Sequence, residues 1–536
     1  MKNILLFLLF LSCTAAVSQE DAWVYFNSKP DSQFYFDNPL QMLTQRALDR
    51  RMNQNIPLSN NDVPVYQPYV NQVDAATGIE VKAKSKWLNC VHVRGSQANI
   101  NALSSFPFVT NISFANTALN SKSASSASTE TVNKQMETQV IFNYGNSSNQ
   151  IQMLNGQLLH QQDYTGVNKI IAVLDSGFTN VDVVAPFQRL FTNNAILGGY
   201  NYVSGNSNVY TLDSHGTLVL SCMGGFVTGQ LVGTAPDSKY YLFVTEDVSS
   251  ENPVEESFWV QAAEEADRLG VDIINSSLGY FTYDNPSYSY TYSNMTGNYA
   301  FASRGANIAF SKGIVVVASA GNSGNTGNPY VGVPAEATNV LAIGAVQFNE
   351  IYANFSSIGP SFDNRIKPDL MAQGQGVTLS NSNGSIVQAS GTSFSGPIIA
   401  GMIASFWQAV PTLTNQQVVN YIRQSADRFT TPNAQYGYGI PDFQLALNNA
   451  LLSIDPSERN DIIVYPNPSD TYINVHFADA NTSINIQFYN NLGQLVLEKS
   501  NLKSDENLNL QNLTSGIYTY KITSSNETRT GKLIKK

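Results

Sequence analysis

The sequence has few charged residues and no strongly basic segment, and these two shortages exclude whole classes of protein. Charged residues make up 13% of the 536 residues, and 40 acidic against 29 basic side chains give a net charge of −11. No block of Lys and Arg is dense enough to follow a phosphate backbone, which argues against nucleic-acid binding. Apolar residues still reach 43%, so large cores can form and global disorder is excluded.

Cysteines and long apolar runs are scarce as well. Past the N-terminus the longest apolar run, 397–410, has 14 residues, fewer than the ~18 that a membrane span needs. Only three cysteines occur, and Cys13 falls within the N-terminal segment, so Cys90 and Cys222 are the only possible disulfide pair. We expect a fold that rests on large cores rather than on disulfides.

The N-terminus predicts a secretory signal peptide, residues 1–18. Lys2 precedes an apolar run at 4–11, and small residues up to Ser18 follow that run. This is the order of charge, apolar run and cleavage site that export signals share. The alternative is a lipoprotein signal at Cys13, but the residue before Cys13 is not the usual Gly or Ala. We therefore expect an exported, soluble mature protein.

Residues 19–117 have the pattern of a small α+β domain. Strand-like stretches at 23–26 and 87–93 flank a helix-like stretch at 42–52. Residues 118–143 are rich in Ser, Thr and Ala and show no apolar period, which is typical of an exposed linker. Such linkers are easily cut by proteases, so we expect a processing region there.

Residues 144–454 change to short, continuously apolar runs separated by helical stretches, the pattern of strands buried on both faces of a parallel sheet. The runs are 169–175, 240–244, 271–274, 314–318 and 340–346. Between two of them, apolar residues from Trp259 to Leu269 follow helical spacing, and Gly270 stands where a helix ends. We predict one doubly wound α/β domain with a mainly parallel sheet, whose chemistry lies at the carboxyl ends of the strands.

Residues 455–536 change again, to alternating strands separated by Pro and Gly turns. The strand-like stretches are 461–465, 472–477, 484–489, 495–498 and 517–522. We predict a small all-β sandwich.

Three segments of the α/β region supply an acid, a base and a hydroxyl nucleophile: Asp175, His215 and Ser393. Serine needs a base to take its proton, and the base needs a carboxylate to orient it. His160 is the only other histidine in this region, and it lies in a polar stretch before the first core strand. His215 is therefore the better base by elimination.

Two further features favour a catalytic reading over a structural one. Ser393 begins a predicted buried helix with Pro397 in its first turn, where N–H groups favour an anionic intermediate. Asn322 follows the strand 314–318 and can donate to a developing oxyanion. Taken singly, Ser393 also suits a helix cap and Asn322 a plain turn. Likewise, Asp175 alone suits a strand-end cap and His215 an ordinary loop histidine.

In their order along the chain, AVLDSG, SHGT, SAGN and GTSFSGP resemble the four signature segments of the subtilisin-like serine proteases, peptidase family S8. By this resemblance Asp175 orients His215, His215 acts as general base and then acid, and Ser393 attacks. Asn322 and the Ser393 amide would bind the oxyanion.

The same resemblance implies a substrate-binding wall made of Ser277, Leu278, Gly279, Ala320 and Gly321. The peptide would be held there as an added strand.

Two residues depart from the family pattern and bear on local packing. Leu218 stands where the family often has a second His, and Phe394 stands where it has Met. The family often binds structural calcium, but no calcium-loop pattern is present, so we predict no metal site and no cofactor.

The terminal regions acquire roles from the same kind of comparison. Subtilisin-like enzymes usually carry an N-terminal inhibitory propeptide, so the resemblance of the α/β part implies that role for residues 19–117. Residues 455–536 resemble the sorting domain of proteins exported by the type IX secretion system, with the motifs 464–468, 491–494 and 513–518 and a basic end. The alternative for this last domain is an ordinary β-sandwich that binds sugar or protein.

The sequence therefore predicts a serine endopeptidase that is secreted or held at the cell surface and works through an acyl-enzyme. Its expected partners are protein or peptide substrates, its own propeptide and the type IX machinery. The alternative is a surface binding protein on an inactive scaffold. The presence of Asp175, His215, Asn322 and Ser393 argues against that alternative.

Overall fold

The computed structural model describes residues 18–120, 142–453 and 463–536, the last without 466, 468, 477–482, 491–492 and 524–527. The chain divides into two compact units, the first ending at Asn449 and the second beginning at Ala450. Most of the predicted signal peptide, Cys13 and most of the predicted linker lie outside the described residues.

The N-terminal part of the first unit is a four-stranded antiparallel sheet with helices packed on one face, as the α+β pattern predicts. Its elements are β1 (Gln19–Phe26), α1 (Ser32–Asp37), α2 (Gln45–Asn53), α3 (Gln67–Asp74), β2 (Ile79–Ser85), β3 (Cys90–Ser96), α4 (Gln97–Ala102) and β4 (Val109–Phe114), in the sheet order β2-β3-β1-β4. Val24 and Phe26 of β1 pack against the helices of this part, whereas Trp23 belongs to the core of the α/β part. Successive side chains of a strand point to opposite faces, so this sheet is buried on both.

The α/β part of the first unit is built on a seven-stranded, fully parallel sheet with the order β13-β12-β11-β10-β5-β9-β6. Its strands are β5 (Ile170–Asp175), β6 (Ile196–Asn201), β7 (Phe226–Val227), β8 (Leu231–Val232), β9 (Lys239–Val244), β10 (Ile273–Ser276), β11 (Val315–Ser319), β12 (Leu341–Val346), β13 (Leu370–Gln373), β14 (Val377–Ser380) and β15 (Ile386–Ala389), of which β7-β8 and β14-β15 form separate hairpins. The five predicted strands are β5, β9, β10, β11 and β12. The sequence pattern missed β6 and β13, the two edge strands.

Helices cover both faces of this sheet, which confirms the doubly wound prediction. They are α5 (Ser148–Gln152), α6 (Gln157–His160), α7 (Gln188–Thr192), α8 (His215–Gly224), α9 (Val254–Leu269), α10 (Phe301–Ser311), α11 (Thr392–Ala409), α12 (Asn415–Gln424) and α13 (Phe443–Ser453). α9 and α10 pack together on one side, and α8 and α11 on the other. Gly270 ends α9 at φ +79°, a left-handed conformation that suits glycine.

Parallel strands place their carboxyl ends at one edge of the sheet. β5 ends at Asp175, β10 at Ser276 and β11 at Ser319. The segments that follow these strands therefore meet at this edge, where doubly wound folds carry their chemistry.

The second unit has two antiparallel sheets around one apolar core, as predicted for an all-β domain. The strands are β16 (Ile463–Tyr465), β17 (Tyr472–His476), β18 (Ile484–Tyr489), β19 (Leu495–Leu502), β20 (Leu508–Asn509), β21 (Gly516–Thr523) and β22 (Thr528–Lys535), in the orders β16-β17-β20 and β19-β18-β21-β22. Ile473, Phe488 and Leu533 are fully buried in the shared core.

The described residues allow two expectations from the sequence to be compared with the structure: the one about disulfides and the one about membrane spans. Cys90 and Cys222 are both buried free thiols rather than a disulfide pair. No helix in the described ranges is long and apolar enough to cross a membrane.

Candidate active site

Asp175 and His215 meet at the carboxyl edge of the sheet. Asp175 is the last residue of β5 and His215 is the first residue of α8. Oδ1 of Asp175 lies 2.7 Å from Nδ1 of His215. The Asp175 side chain is fully buried, whereas the His215 side chain keeps 29% of its surface exposed. The carboxylate can therefore fix one ring nitrogen while the ring stays accessible from the cleft.

Two neighbouring polar residues hold this pair in place. Ser176 donates its backbone N–H to Oδ1 of Asp175 and its hydroxyl to Oδ2 of Asp213, both at 2.9 Å. The same oxygen of Asp213 accepts the backbone N–H of His215 at 3.3 Å. The strand end and the helix start are thus joined by a short hydrogen-bonded chain.

These carboxylates favour the protonated imidazole. The charge of Asp175 raises the pKa of His215 to about 8, against the opposing effect of burial, and Asp213 and Glu246 add to the rise. Burial alone would raise the pKa of Asp213, but hydrogen bonds from Ser214 and Ser176 bring that pKa below its ordinary value. Asp213 is therefore ionised at neutral pH.

Ser393 lies in the first turn of α11. Its hydroxyl is 3.4 Å from the carbonyl oxygen of Ser277, and within the described residues no hydrogen bond joins it to His215. The next residue, Phe394, is buried and has its ring centroid 6.1 Å from that of His215. Catalytic hydrogen bonds are often long or poorly aligned in enzymes without substrate, so this geometry is compatible with a nucleophilic role for Ser393.

Asn322 is held by Thr392, the residue before the serine. Its Oδ1 accepts both the backbone N–H and the hydroxyl of Thr392, at 2.9 and 3.0 Å. Two donors on one side of the amide fix the oxygen there, so the NH₂ group points the other way. The Thr392 hydroxyl also accepts the N–H of Gly321 at 3.1 Å, which anchors the loop that carries Asn322.

A cavity of about 380 Å³ opens beside Ser393. The sequence-predicted site residues that line it are Ser277, Leu278, Gly279, Ala320, Gly321, Asn322 and Ser393. The described lining contains no charged side chain, while Tyr280, Phe281 and Tyr330 supply aromatic surface. The cavity therefore suits an uncharged group.

His160, the other histidine weighed from the sequence, is not part of this site. It is buried, with Nδ1 2.9 Å from the hydroxyl of Tyr144 and Nε2 3.0 Å from the carbonyl oxygen of Thr234. Burial lowers the pKa of His160 to about 4. Its role is structural.

The described parts of the chain contain no group of three or more His, Cys, Asp or Glu side chains that could hold a metal ion. The absence of a cofactor stays a prediction.

The N-terminal domain docks on α9 and α10 of the α/β part through apolar and polar contacts. Trp23 stacks on Phe301 with ring centroids 4.8 Å apart. Nε1 of Trp23 donates to the hydroxyl of Ser257 at 2.8 Å, and Nδ1 of His92 lies at the same distance from that hydroxyl.

Buried charges extend this interface. Arg50 and Arg51 of α2 contact the carboxylate of Asp267 at 2.5 and 2.7 Å. Burial would raise the pKa of Asp267, but the surrounding cations bring it below its ordinary value. Glu264, one turn earlier on α9, accepts the backbone N–H of Trp87 at 2.9 Å. The ion pair between Arg50 and Asp267 exists only while the N-terminal domain is docked, whereas Arg51 also pairs with Asp62 of its own domain at 2.9 Å.

The sequence does not single out Ser176, Asp213 or Thr392. All three lie next to or near motif residues, so a polar residue beside a motif could have been noted as a candidate. The sequence does not show, however, which way its side chain turns. No local sequence pattern predicts the pairing of Arg50 and Arg51 with Asp267, because the partners lie more than 200 residues apart.

Three segments of the chain match known families. Residues 21–133 match the peptidase S8 propeptide domain of Bacteroidota, residues 166–439 the subtilase family, and residues 463–536 a secretion system C-terminal sorting domain.

Individual relatives match the α/β part. Subtilisin DY of Bacillus licheniformis is 30% identical over 299 residues, which cover 55% of this chain and 97% of that protein. Subtilisin of Bacillus pumilus is 31% identical over 299 residues, with the same coverage of 55% and 97%. The crystal structure of MycP1 with its N-terminal propeptide removed is 24% identical, covers 56% of this chain and 96% of that one, and has a TM-score of 0.44.

A parallel α/β sheet with a carboxylate, an imidazole and a serine at one edge is consistent with a serine hydrolase, a class whose residues recur on unrelated folds. The chain belongs to the subtilase family and is a subtilisin-like serine endopeptidase with a propeptide domain and a C-terminal sorting domain.

Proposed function

We propose that Asp175, His215 and Ser393 are the catalytic triad of this endopeptidase and that Asn322 completes its oxyanion hole. The observation that carries the proposal is the 2.7 Å contact between Asp175 and Nδ1 of His215, next to the helix start that bears Ser393. Asp175 fixes the tautomer in which Nε2 of His215 accepts a proton.

Each residue then has one step to perform. The Ser393 hydroxyl turns from the Ser277 carbonyl to Nε2 of His215, gives up its proton and attacks the peptide carbonyl. The backbone N–H of Ser393 and the NH₂ group of Asn322 stabilise the oxyanion. The protonated His215 gives its proton to the leaving amine, and water then releases the acyl group in the same way.

The substrate would lie along the segment after β10. In the described part of the chain no hydrogen bond engages the main chain of Leu278 or Gly279, so both residues are available to pair with an extended peptide. The uncharged cavity beside Ser393 would take the side chain that precedes the cut.

Ser393→Ala tests the assignment. We expect this variant to fold like the wild type, to lose peptide hydrolysis and to lose labelling by a serine-directed phosphonate. The matched control is Ser395→Ala, on the same helix turn, which keeps both. Normal hydrolysis by Ser393→Ala, with other proteases excluded, would contradict the assignment. Absence of labelling in the wild type would favour the binding protein on an inactive scaffold.

The docked N-terminal domain supports a zymogen. Charges buried against α9, such as Arg51 at 2% exposure, hold this domain on the enzyme until the chain is cut. The side chain of Asn120 is hydrogen-bonded to the main chain of Phe114, so we place the processing region between Asn120 and Phe142. N-terminal sequencing should find the mature start in that interval, and the Ser393→Ala chain should stay uncut.

The C-terminal unit supports export across the outer membrane by the type IX system, after a signal peptide has taken the chain across the inner membrane. The match of residues 463–536 to a sorting domain carries this part. Deleting residues 455–536 should leave active enzyme in the periplasm. Normal surface delivery of the truncated chain would instead favour a β-sandwich with a binding role.

A further inference from the structure

Helix α11 contains a proline four residues after the proposed nucleophile. Ser393 and Pro397 both lie within α11, Thr392–Ala409. In an α-helix the carbonyl of residue i accepts the N–H of residue i+4, and proline has no N–H to give. The carbonyl of Ser393 therefore lacks its regular helical donor.

A side chain from outside the helix takes that place. The hydroxyl of Ser277 donates to the carbonyl oxygen of Ser393 at 2.9 Å. Ser277 is 6% exposed and follows β10 directly. A hydroxyl has a single proton to donate, so this bond commits the Ser277 hydroxyl to the backbone of the nucleophile.

The Ser277 hydroxyl is itself oriented by a buried amide. Nδ2 of Asn275 donates to Oγ of Ser277 at 3.3 Å, and Asn275 is fully buried within β10. The hydroxyl accepts from the strand and donates to the helix. A rigid element of the sheet is thereby linked to the first turn of α11.

Ser277 also faces the other polar group of the nucleophile. Its main-chain carbonyl oxygen is 3.4 Å from the Ser393 hydroxyl. One residue therefore contacts both the carbonyl and the hydroxyl of Ser393. Loss of the side-chain contact would leave the first turn of α11 without this tie to the sheet.

We propose that Ser277 is a positioning residue for Ser393. Its hydroxyl donates to the carbonyl oxygen that Pro397 leaves without a helical donor, and this bond fixes the nucleophile relative to β10. This inference rests on the proposed role of Ser393. A displacement of about 1 Å at a reacting group can cost roughly 100-fold in rate, so we expect Ser277→Ala to lower kcat by about 10- to 100-fold.

The split between kcat and KM separates positioning from substrate binding. Ser277→Ala keeps the main-chain carbonyl and most of the cavity wall, so we expect KM to stay within about twofold. The matched control, Ser395→Ala, also removes a buried hydroxyl from the first turn of α11. That hydroxyl donates to the Thr392 carbonyl at 3.1 Å, and this carbonyl still has the N–H of Gly396 as a helical donor, so kcat should be unchanged.

A double-mutant cycle tests the link to Pro397 directly. Pro397→Ala restores an N–H that can serve the Ser393 carbonyl, which makes the Ser277 hydroxyl dispensable. We expect Ser277→Ala to lower kcat by less than about twofold in the Pro397→Ala background. If Ser277 only fills space, its loss should cost the same factor in both backgrounds, and that result would overturn the proposal.

Folding of the variants must be checked before their kcat values are compared. Circular dichroism melts of the full chain show whether each variant is folded. If Ser277→Ala is unfolded, Ser277→Cys replaces it, because the thiol has a similar volume and is a weaker donor. A folded variant with wild-type kcat, or with a loss confined to KM, would overturn the inference while the wild type stays active. An inactive wild type would instead show that the proposed function has failed.

Discussion

Replacing Asp213 by Asn is expected to move the acid limb of the pH–activity profile to lower pH. In the proposed mechanism only neutral His215 can take the proton of Ser393, so activity should rise with pH as His215 loses its proton. The limb should therefore lie near the His215 pKa of about 8 in the wild type. Removing the negative charge of Asp213 destabilises the imidazolium, lowers that pKa and increases the fraction of active enzyme at neutral pH.

The size of the shift follows from the arrangement of the charges. The rise of the His215 pKa from 6.5 to about 8 corresponds to about 2 kcal/mol in favour of the imidazolium, and Asp175 is its largest cause. Asp213 is half-buried, and pairs near the surface contribute about 0.2–1 kcal/mol. We therefore expect the Asp213→Asn limb to move down by roughly 0.1–0.7 pH unit.

The measurement is kcat/KM against pH at low ionic strength, because this ratio reports the free enzyme and salt screens exposed charges. Asn keeps an oxygen that can accept from Ser176 and from the backbone of His215. The control is Glu265→Gln, which removes a carboxylate paired with Arg268 on α9. A limb at or below pH 6.5 in the wild type, or one that rises in Asp213→Asn, would refute the reasoning.

Two further substitutions test the oxyanion hole and the docked N-terminal domain. Asn322→Ala should lower kcat by about 100- to 1000-fold, the loss typical of removing one oxyanion-hole donor. Asn325→Ala, exposed in the same loop, should leave kcat unchanged; similar kcat values in the two variants would exclude the donor role. Asp267→Ala in the uncut Ser393→Ala chain leaves Arg50 buried without its carboxylate and Arg51 with Asp62 alone. This substitution should destabilise the chain by about 3–5 kcal/mol. Glu265→Ala should cost less than about 1 kcal/mol, and equal thermal unfolding temperatures would contradict the buried pairing.

Much of the fold could be predicted because central parallel strands leave a continuous apolar run. The run 169–175 became β5, and the helical spacing around Trp259 became α9. β6 was missed because it lies at the edge of the sheet and contains Gly198 and Gly199. An edge strand is covered less completely, so its sequence need not be apolar throughout.

For the candidate site, the residue types could be predicted from the sequence but their hydrogen bonds could not. The residue types at 175, 215, 322 and 393 could be read from the sequence because each chemistry requires them. The direction of each hydrogen bond could not, since it depends on side chains from distant elements. Thr392 fixes the oxygen of Asn322, for example, and the Ser393 hydroxyl lies 3.4 Å from the Ser277 carbonyl oxygen.

The sequence by itself determined the five central strands of the parallel sheet and the points where the N-terminal, α/β and C-terminal parts change character. It also determined which residues can carry acyl transfer, because side-chain chemistry and apolar spacing are local properties. The tertiary structure alone decided how β5, α8 and α11 bring Asp175, His215 and Ser393 to one edge. It also decided which buried charges of the N-terminal domain find partners on α9. Both depend on contacts between residues far apart in the chain, which local patterns do not encode.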